Sequence, residues 1–204
     1  RFIYLSTAHV YSSPLEGKIS EDSCLLNNHP YATSHVAGEN AVLYQDNPKQ
    51  NLRTIVLRLS NLIGSPTHKD ANCWQLAVND FCRQVAETAR IEVNSPADVE
   101  RDFISISVLC SLIELLVNSD RLDDNLINVV SSKTISLKNI VETIEERTQK
   151  VFGFKPKVLF KNKNLINNNS LLISNDKLIK NIKFKNSLED EIDQLLLNCK
   201  HWFG

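Results

Sequence analysis

The sequence predicts an α/β fold organised on a parallel sheet, from three observations. Short apolar runs rich in β-branched residues fall at 2–5, 54–59, 91–93 and 127–130. Between and after them, apolar residues recur at helical spacing over about 31–46, 71–89, 107–119, 136–150, 175–181 and 188–200. A hydrophobic fraction of 42% over 204 residues supplies a substantial core. Strands that alternate with helices pair in parallel, with helices covering both faces of the sheet.

Each element has a local reason. Phe2-Ile3-Tyr4-Leu5 opens the chain as a strand that ends in Ser6-Thr7. Pro30 suits the first position of the helix that follows, where a missing N–H leaves no bond unmade. Thr54-Ile55-Val56-Leu57-Arg58-Leu59 and Ile127-Asn128-Val129-Val130 read as buried strands. Ser136 and Ser174 are expected N-caps, each accepting a bond from the first turn after it. The polar, Asn/Lys-rich stretch 161–170 reads as an exposed loop; its Asn168-Asn169-Ser170 has the form of a glycosylation sequon, which such composition produces by chance. No internal repeat is present.

Charge and cysteine usage narrow the class. There are 23 basic and 24 acidic residues, a formal net charge of −1, which gives no electrostatic case for nucleic acid or an anionic membrane. No apolar run approaches the roughly 18 residues of a membrane span, and no signal-peptide pattern is present. The five cysteines (Cys24, Cys73, Cys82, Cys110, Cys199) lack metal-ligand spacing and are expected to be reduced thiols of a cytoplasmic protein with no metal site. The chain starts at Arg1 and contains no methionine, so we expect it to be a piece of a longer protein.

The chemistry-bearing residues begin where the first strand ends, since open α/β sheets bind ligands beyond the carboxyl ends of their strands. Thr7 stands at such an end. Tyr31 and His35 follow at positions i and i+4 of the next helix, and so share a face. A hydroxyl, a phenol and a basic group in this order suit proton transfer to or from a substrate hydroxyl. By themselves they fit a strand-end cap and a surface tyrosine better.

Several blocks in order carry a resemblance. Phe2 to Tyr11 (FIYLSTAHVY), Tyr31-Ala32-Thr33-Ser34-His35, Arg58 to Gly64 (RLSNLIG), Arg101-Asp102-Phe103-Ile104, Asn128-Val129-Val130, Ser174 to Lys177 (SNDK) and Ser187 to Asp190 (SLED) resemble successive signatures of the extended short-chain dehydrogenases/reductases, the NAD-dependent nucleotide-sugar epimerase/dehydratase family. The Tyr-x-x-x-Lys motif of that family is matched except at its last position, where His35 replaces lysine.

The resemblance implies the C-terminal part of a Rossmann-like doubly wound parallel sheet plus a small α/β substrate-binding subdomain. The partial NAD(P)-binding domain would comprise 1–66 and 104–134, and the substrate-binding subdomain 67–103 and 135–204. Thr7, Tyr31 and His35 would be catalytic. Ser6, Tyr31, His35 and Ser60 would hold NAD, with NADP possible, and Ala8, His9, Asn61 and Arg101 the nucleotide-sugar. Asn61 also suits a turn residue bonding its own backbone, and Arg101 a salt bridge to Asp98 or Glu100. A histidine at a strand end, as His9 is, is more often a packed or solvated residue.

The implied reaction is NAD(P)-dependent nucleotide-sugar epimerisation, hydride transfer at a sugar carbon with Tyr31 as acid/base. The runners-up are a 4-keto-sugar reductase and a catalytically impaired nucleotide-binding relative. Ala8-His9 stands where 4,6-dehydratases carry an Asp-Glu pair, which disfavours dehydration. The family's lysine is a permanent cation, whereas a histidine titrating near pH 6.5 is charged in a minority of molecules at pH 7. No Gly-rich dinucleotide turn occurs among the glycines at 17, 38, 64, 153 and 204, so the chain alone is expected to bind NAD poorly. The family's dimer contact implies a homodimer of the full-length protein, with Val42 and Leu43 on the outer face of the Tyr31 helix.

Overall fold

The computed structural model describes residues 1–47, 52–118, 124–161 and 170–204. In chain order the elements begin with β1 (Phe2–Thr7), a 3-10 turn (Ala8–Val10), β2 (Gly17–Ile19), α1 (Pro30–Tyr44), β3 (Thr54–Leu59) and β4 (Asn61–Ile63). There follow α2 (Ala77–Thr88), β5 (Arg90–Val93), β6 (Glu100–Ser105), α3 (Ile106–Asn118), β7 (Leu126–Val129) and β8 (Thr134–Ser136). The chain closes with α4 (Leu137–Phe152), β9 (Lys157–Phe160), β10 (Leu171–Ile173), α5 (Asp176–Asn181) and α6 (Leu188–Phe203). Two compact units result, one of Arg1–Ser60, Val108–Lys133 and Ser170–Lys185, the other of Asn61–Ser107, Thr134–Asn169 and Asn186–Gly204.

The first unit is built on a parallel sheet in the order β1-β3-β7. Ile55, Val56 and Leu57 of the central strand are buried, as is Ile127 beside them. That continuous apolar run is what a strand covered on both faces requires. The register pairs Thr7 with Leu59 and Leu59 with Val129, so the carboxyl ends of all three strands finish together. β1 lies at the edge of this sheet, and its Phe2 and Leu5 are 52% and 43% exposed. β10 adds to β2 in parallel, Leu171 opposite Gly17, over a small core of Val10, Tyr11, Ile19 and Ile173. That pairing draws 170–185 into the first unit, where the sequence assigned it to the substrate-binding part.

In the second unit β6 is central, parallel to β4 and antiparallel to β8, while β5 and β9 form a separate parallel pair. Val78, Val85, Ile140, Ile144, Leu195 and Leu196, from three amphipathic helices, form its core. Asn186 acts as a backbone mimic at β6, donating to the Phe103 carbonyl (2.9 Å) and accepting from the Ser105 N–H (2.7 Å). Cys82 and Cys199 are buried here, and burial raises both thiols, Cys199 to about 12, so neither is a reactive thiolate.

Local chemistry sets the ends. Ser136 caps α4 by accepting from the Asn139 N–H (3.1 Å), as expected. Ser174 does not hold the cap position of α5; Asn175 does, while the Ser174 hydroxyl bonds the Asp176 N–H (3.2 Å). α2 starts at Ala77, six residues later than its periodicity suggested. The polar loop at 161–170 and its Asn168-Asn169-Ser170 lie almost wholly outside the described residues. Among the described residues no helix is long and apolar enough to cross a membrane.

α2 closes on Ala89, whose φ of 54° puts an L side chain in the left-handed region that Gly153 occupies after α4. That conformation costs a non-glycine residue roughly 1–2 kcal/mol. The Ala89 side chain is exposed and packs against little. Ala89→Gly is therefore expected to stabilise the second unit by about 0.5–1 kcal/mol, after subtracting the extra backbone freedom glycine has when unfolded. A urea midpoint that does not rise would contradict this.

Candidate active site

Thr7 is 5% exposed and ends β1. Its Oγ1 accepts from the His9 N–H (3.2 Å), which caps the turn Ala8–Val10 and leaves the Thr7 O–H to donate elsewhere. Ala8 is buried. His9 is half-buried, with its carbonyl receiving the Asn27 amide (2.7 Å).

α1 starts with two interlocking devices. His29 is its N-cap and accepts from the Tyr31 N–H through Nδ1 (3.2 Å), with Pro30 at the first helical position. Tyr31 is 52% exposed. One turn on, His35 meets it edge to face, the ring centroids 4.7 Å apart and the planes at 70°. The i,i+4 spacing thus brings phenol and imidazole together as the sequence predicts. On its other side His35 lies against Tyr4 of β1, Nδ1 to Oη 3.4 Å.

Beneath this surface lies a buried polar network that sequence reasoning missed. Ser6, Arg58 and Asn128 share one row across β1, β3 and β7. Arg58 grips Glu39 of α1 with two bonds, Nε to Oε1 (3.0 Å) and Nη2 to Oε2 (2.6 Å). Ser6 donates to the same Glu39 carboxylate (2.5 Å). Arg58 also donates to the Tyr11 hydroxyl (3.0 Å), which donates on to Asn128 Oδ1 (2.7 Å). The Asn128 N–H in turn donates to Glu21 (3.0 Å). Burial pushes the Tyr11 phenol up, with the adjacent guanidinium opposing it. Burial works against the Arg58 charge, yet its bonds to Glu39 and Tyr11 prevail and hold its pKa above the usual value. The network ties the middle of α1 to the strand that ends in Thr7. A polar residue inside an otherwise apolar strand, Arg58 or Asn128, was the signal that could have revealed it. Ser6, expected at the cofactor, directs its hydroxyl to Glu39.

Ser60 follows β3; its N–H donates to the Val129 carbonyl (3.2 Å), and its buried hydroxyl oxygen has no partner among the described residues. In the second unit, Asn61 is in β4 and not in a turn closing on its own backbone. Its amide donates to the Asp102 carbonyl of the neighbouring strand (2.9 Å). Arg101, in β6, is half-buried, and its Nε is buried without a hydrogen-bond partner among the described residues. The Glu100 carboxylate accepts from Thr134 (3.1 Å). Burial alone acts on the Arg101 guanidinium and lowers its pKa. Such a cation, partly desolvated and with its Nε unbonded among the described residues, suits an anionic ligand.

A family model described as "NAD dependent epimerase/dehydratase family" matches residues 1–129. The chain is 26% identical over 160 residues to dTDP-4-dehydro-6-deoxyglucose reductase of Escherichia coli, covering 78% of this chain and 49% of that protein. It therefore spans about half the length of that curated relative. Among solved structures, UDP-glucuronic acid 4-epimerase from Bacillus cereus in complex with NAD superposes with a TM-score of 0.77 at 18% identity, covering 100% of this chain and 62% of that one. RMD from Pseudomonas aeruginosa complexed with NADPH gives 0.74 at 21% identity, covering 98% and 66%. At such identities the likeness shows the fold, a Rossmann-like α/β arrangement.

Proposed function

The chain belongs to the NAD-dependent epimerase/dehydratase family, and from that premise we propose that it carries the acid/base chemistry of a nucleotide-sugar epimerase. The observation that carries this reading is the exposed Tyr31 phenol in contact with His35 on the first turns of α1. Tyr31 takes a proton from a sugar hydroxyl and returns it. The Thr7 O–H, left free to donate, orients the same sugar oxygen. His35 donates to a nicotinamide ribose hydroxyl, and the unpartnered Ser60 hydroxyl lies ready for a further polar contact.

The residues present fit the nicotinamide–ribose end of NAD, or of NADP; none of the five glycines forms a Gly-rich pyrophosphate cradle. When bound, that cofactor supplies the hydride acceptor and donor. In the second unit Arg101 holds a phosphate of the nucleotide-sugar, and Asn61 shapes the strand beside it. The outer face of α1, where Val42 and Leu43 are half-buried and Tyr44 is 86% exposed, serves a homodimer in the same reading. The setting is surface-polysaccharide or sugar metabolism in the cytoplasm.

A second reading, 4-keto-sugar reduction, is favoured by the likeness to the E. coli reductase. One experiment separates them. Full-length protein is given UDP- or dTDP-sugars with NAD, or dTDP-4-keto sugars with NADPH. Interconversion of epimers without net change in the cofactor supports the epimerase, and stoichiometric NADPH oxidation the reductase. Cofactor binding without turnover on any of these would overturn both. Arg101→Met should raise KM for the nucleotide-sugar by roughly 10–100-fold, the worth of a charge-assisted contact of about 1.5–3 kcal/mol. An unchanged KM would remove Arg101 from the substrate site.

A further inference from the structure

His35 stands where the family motif has lysine, and its surroundings show how an imidazole is held there. Its Nδ1 faces the Tyr4 hydroxyl at 3.4 Å, while its ring packs on Tyr31. Tyr4 comes from β1, three residues before Thr7. Its phenol reaches α1 at residue 38, which is glycine. A Cβ at that position would stand 2.3 Å from the Tyr4 Oη and 2.6 Å from Cζ. Any side chain at 38 would push the phenol away from His35, so the helix leaves a gap that the Tyr4 hydroxyl fills. Two independent features, the approach to Nδ1 and the space cleared for it, therefore point to the same contact.

A neutral imidazole carries one proton, and the bond made by one ring nitrogen decides which nitrogen keeps it. A phenol O–H is a good donor and an unprotonated imidazole nitrogen a good acceptor, so the contact suits donation from Tyr4 to Nδ1. We propose that Tyr4 is a positioning residue that donates to Nδ1 and fixes His35 as the Nε2–H tautomer. The Nε2–H group is then a fixed donor on the ring that packs against Tyr31. Donation by a neutral group replaces donation by the cation of the family motif. The ligand class it serves is a vicinal ribose hydroxyl, and in that respect the proposal rests on the reading of Tyr31 and His35 as the cofactor-facing pair. Gly38 belongs to the same device, since it sets how closely Tyr4 can approach.

The tautomer is directly observable. The chain is labelled with 15N-histidine, and two-bond 15N–1H correlations are recorded at a pH where the imidazoles are neutral. His35 should show the Nε2–H pattern with Nδ1 as a hydrogen-bonded acceptor. In Tyr4→Phe its Nδ1 resonance should move towards that of the exposed His201, with some Nδ1–H form populated and His201 itself unmoved. Gly38→Ala, which keeps the hydroxyl but crowds it, should give the same change. An Nδ1–H His35 in the unmodified chain overturns the proposal, and so does a His35 spectrum indifferent to both substitutions. Should Tyr4→Phe not fold, the unmodified chain still decides, because an Nδ1–H imidazole cannot accept from Tyr4. Turnover is not read in this experiment. An Nε2–H His35 in a protein that binds cofactor without turnover sinks the proposed function alone, whereas turnover with an Nδ1–H His35 sinks this assignment alone.

Discussion

Tyr31→Phe is expected to lower kcat of the full-length protein by roughly 10²–10⁴-fold, the usual contribution of a positioned general acid or base. The loss should come without a loss of fold. Tyr31 is 52% exposed, and its hydroxyl makes no hydrogen bond among the described residues, so phenylalanine leaves no buried group unpaired. The ring contact with His35 survives the change, because it depends on the aromatic face and edge and not on the oxygen. The melting temperature should stay near that of the unmodified protein while turnover collapses. Steady-state kinetics with the nucleotide-sugar, paired with a thermal melt, make the check. A variant retaining more than about a tenth of the activity would show that another group moves the proton.

Glu39→Ala should destabilise the first unit by about 3–5 kcal/mol, the cost of leaving one partner of a buried ion pair without the other. Glu39 and Arg58 are 2% and 4% exposed, so water cannot replace the lost carboxylate. Removing Glu39 also strands the Ser6 hydroxyl that donates to it. The double replacement Glu39→Leu with Arg58→Met should recover most of the loss, since neither replaced position then buries a charge. Hydrogen exchange of the β1 and β3 amides reads the stability of this unit without requiring the whole chain to unfold in one step. A single replacement costing less than about 1 kcal/mol would mean that Arg58 finds another partner or reaches solvent.

What the sequence made legible follows from the length of each signal. β3 and the helices carry six or more residues in register with their period, so their existence is readable before their boundaries are. β2, β4, β8 and β10 are three residues each, too short for an alternation to be seen. β6 was hidden for another reason: its first half, Glu100-Arg101-Asp102, is charged, and tertiary pairing with β4 and β8 makes it a strand regardless. In the site, Tyr31 and His35 were legible because helical spacing alone brings them together. Glu39 was not, because an acid on a helix reads as solvent-facing until the arginine opposite it is known. Tyr4 was read as one more apolar residue of its strand; only the three-dimensional approach to Gly38 and His35 shows its hydroxyl at a polar partner.

The polar row Ser6, Arg58 and Asn128 also acts as a check on assembly. Side chains alternate faces along a strand, so a slip of β3 by one residue against either neighbour would carry Arg58 to the opposite face of the sheet. A purely apolar row would tolerate such an error at modest cost, since one aliphatic side chain packs nearly as well as the next. Here the slipped arrangement would strand a carboxylate under α1 and a guanidinium among hydrocarbon, and both faults would arise from a single displacement. The ion pair thus discriminates among strand pairings while the chain folds, selecting the alignment that brings Thr7 and the helix of Tyr31 into their native places.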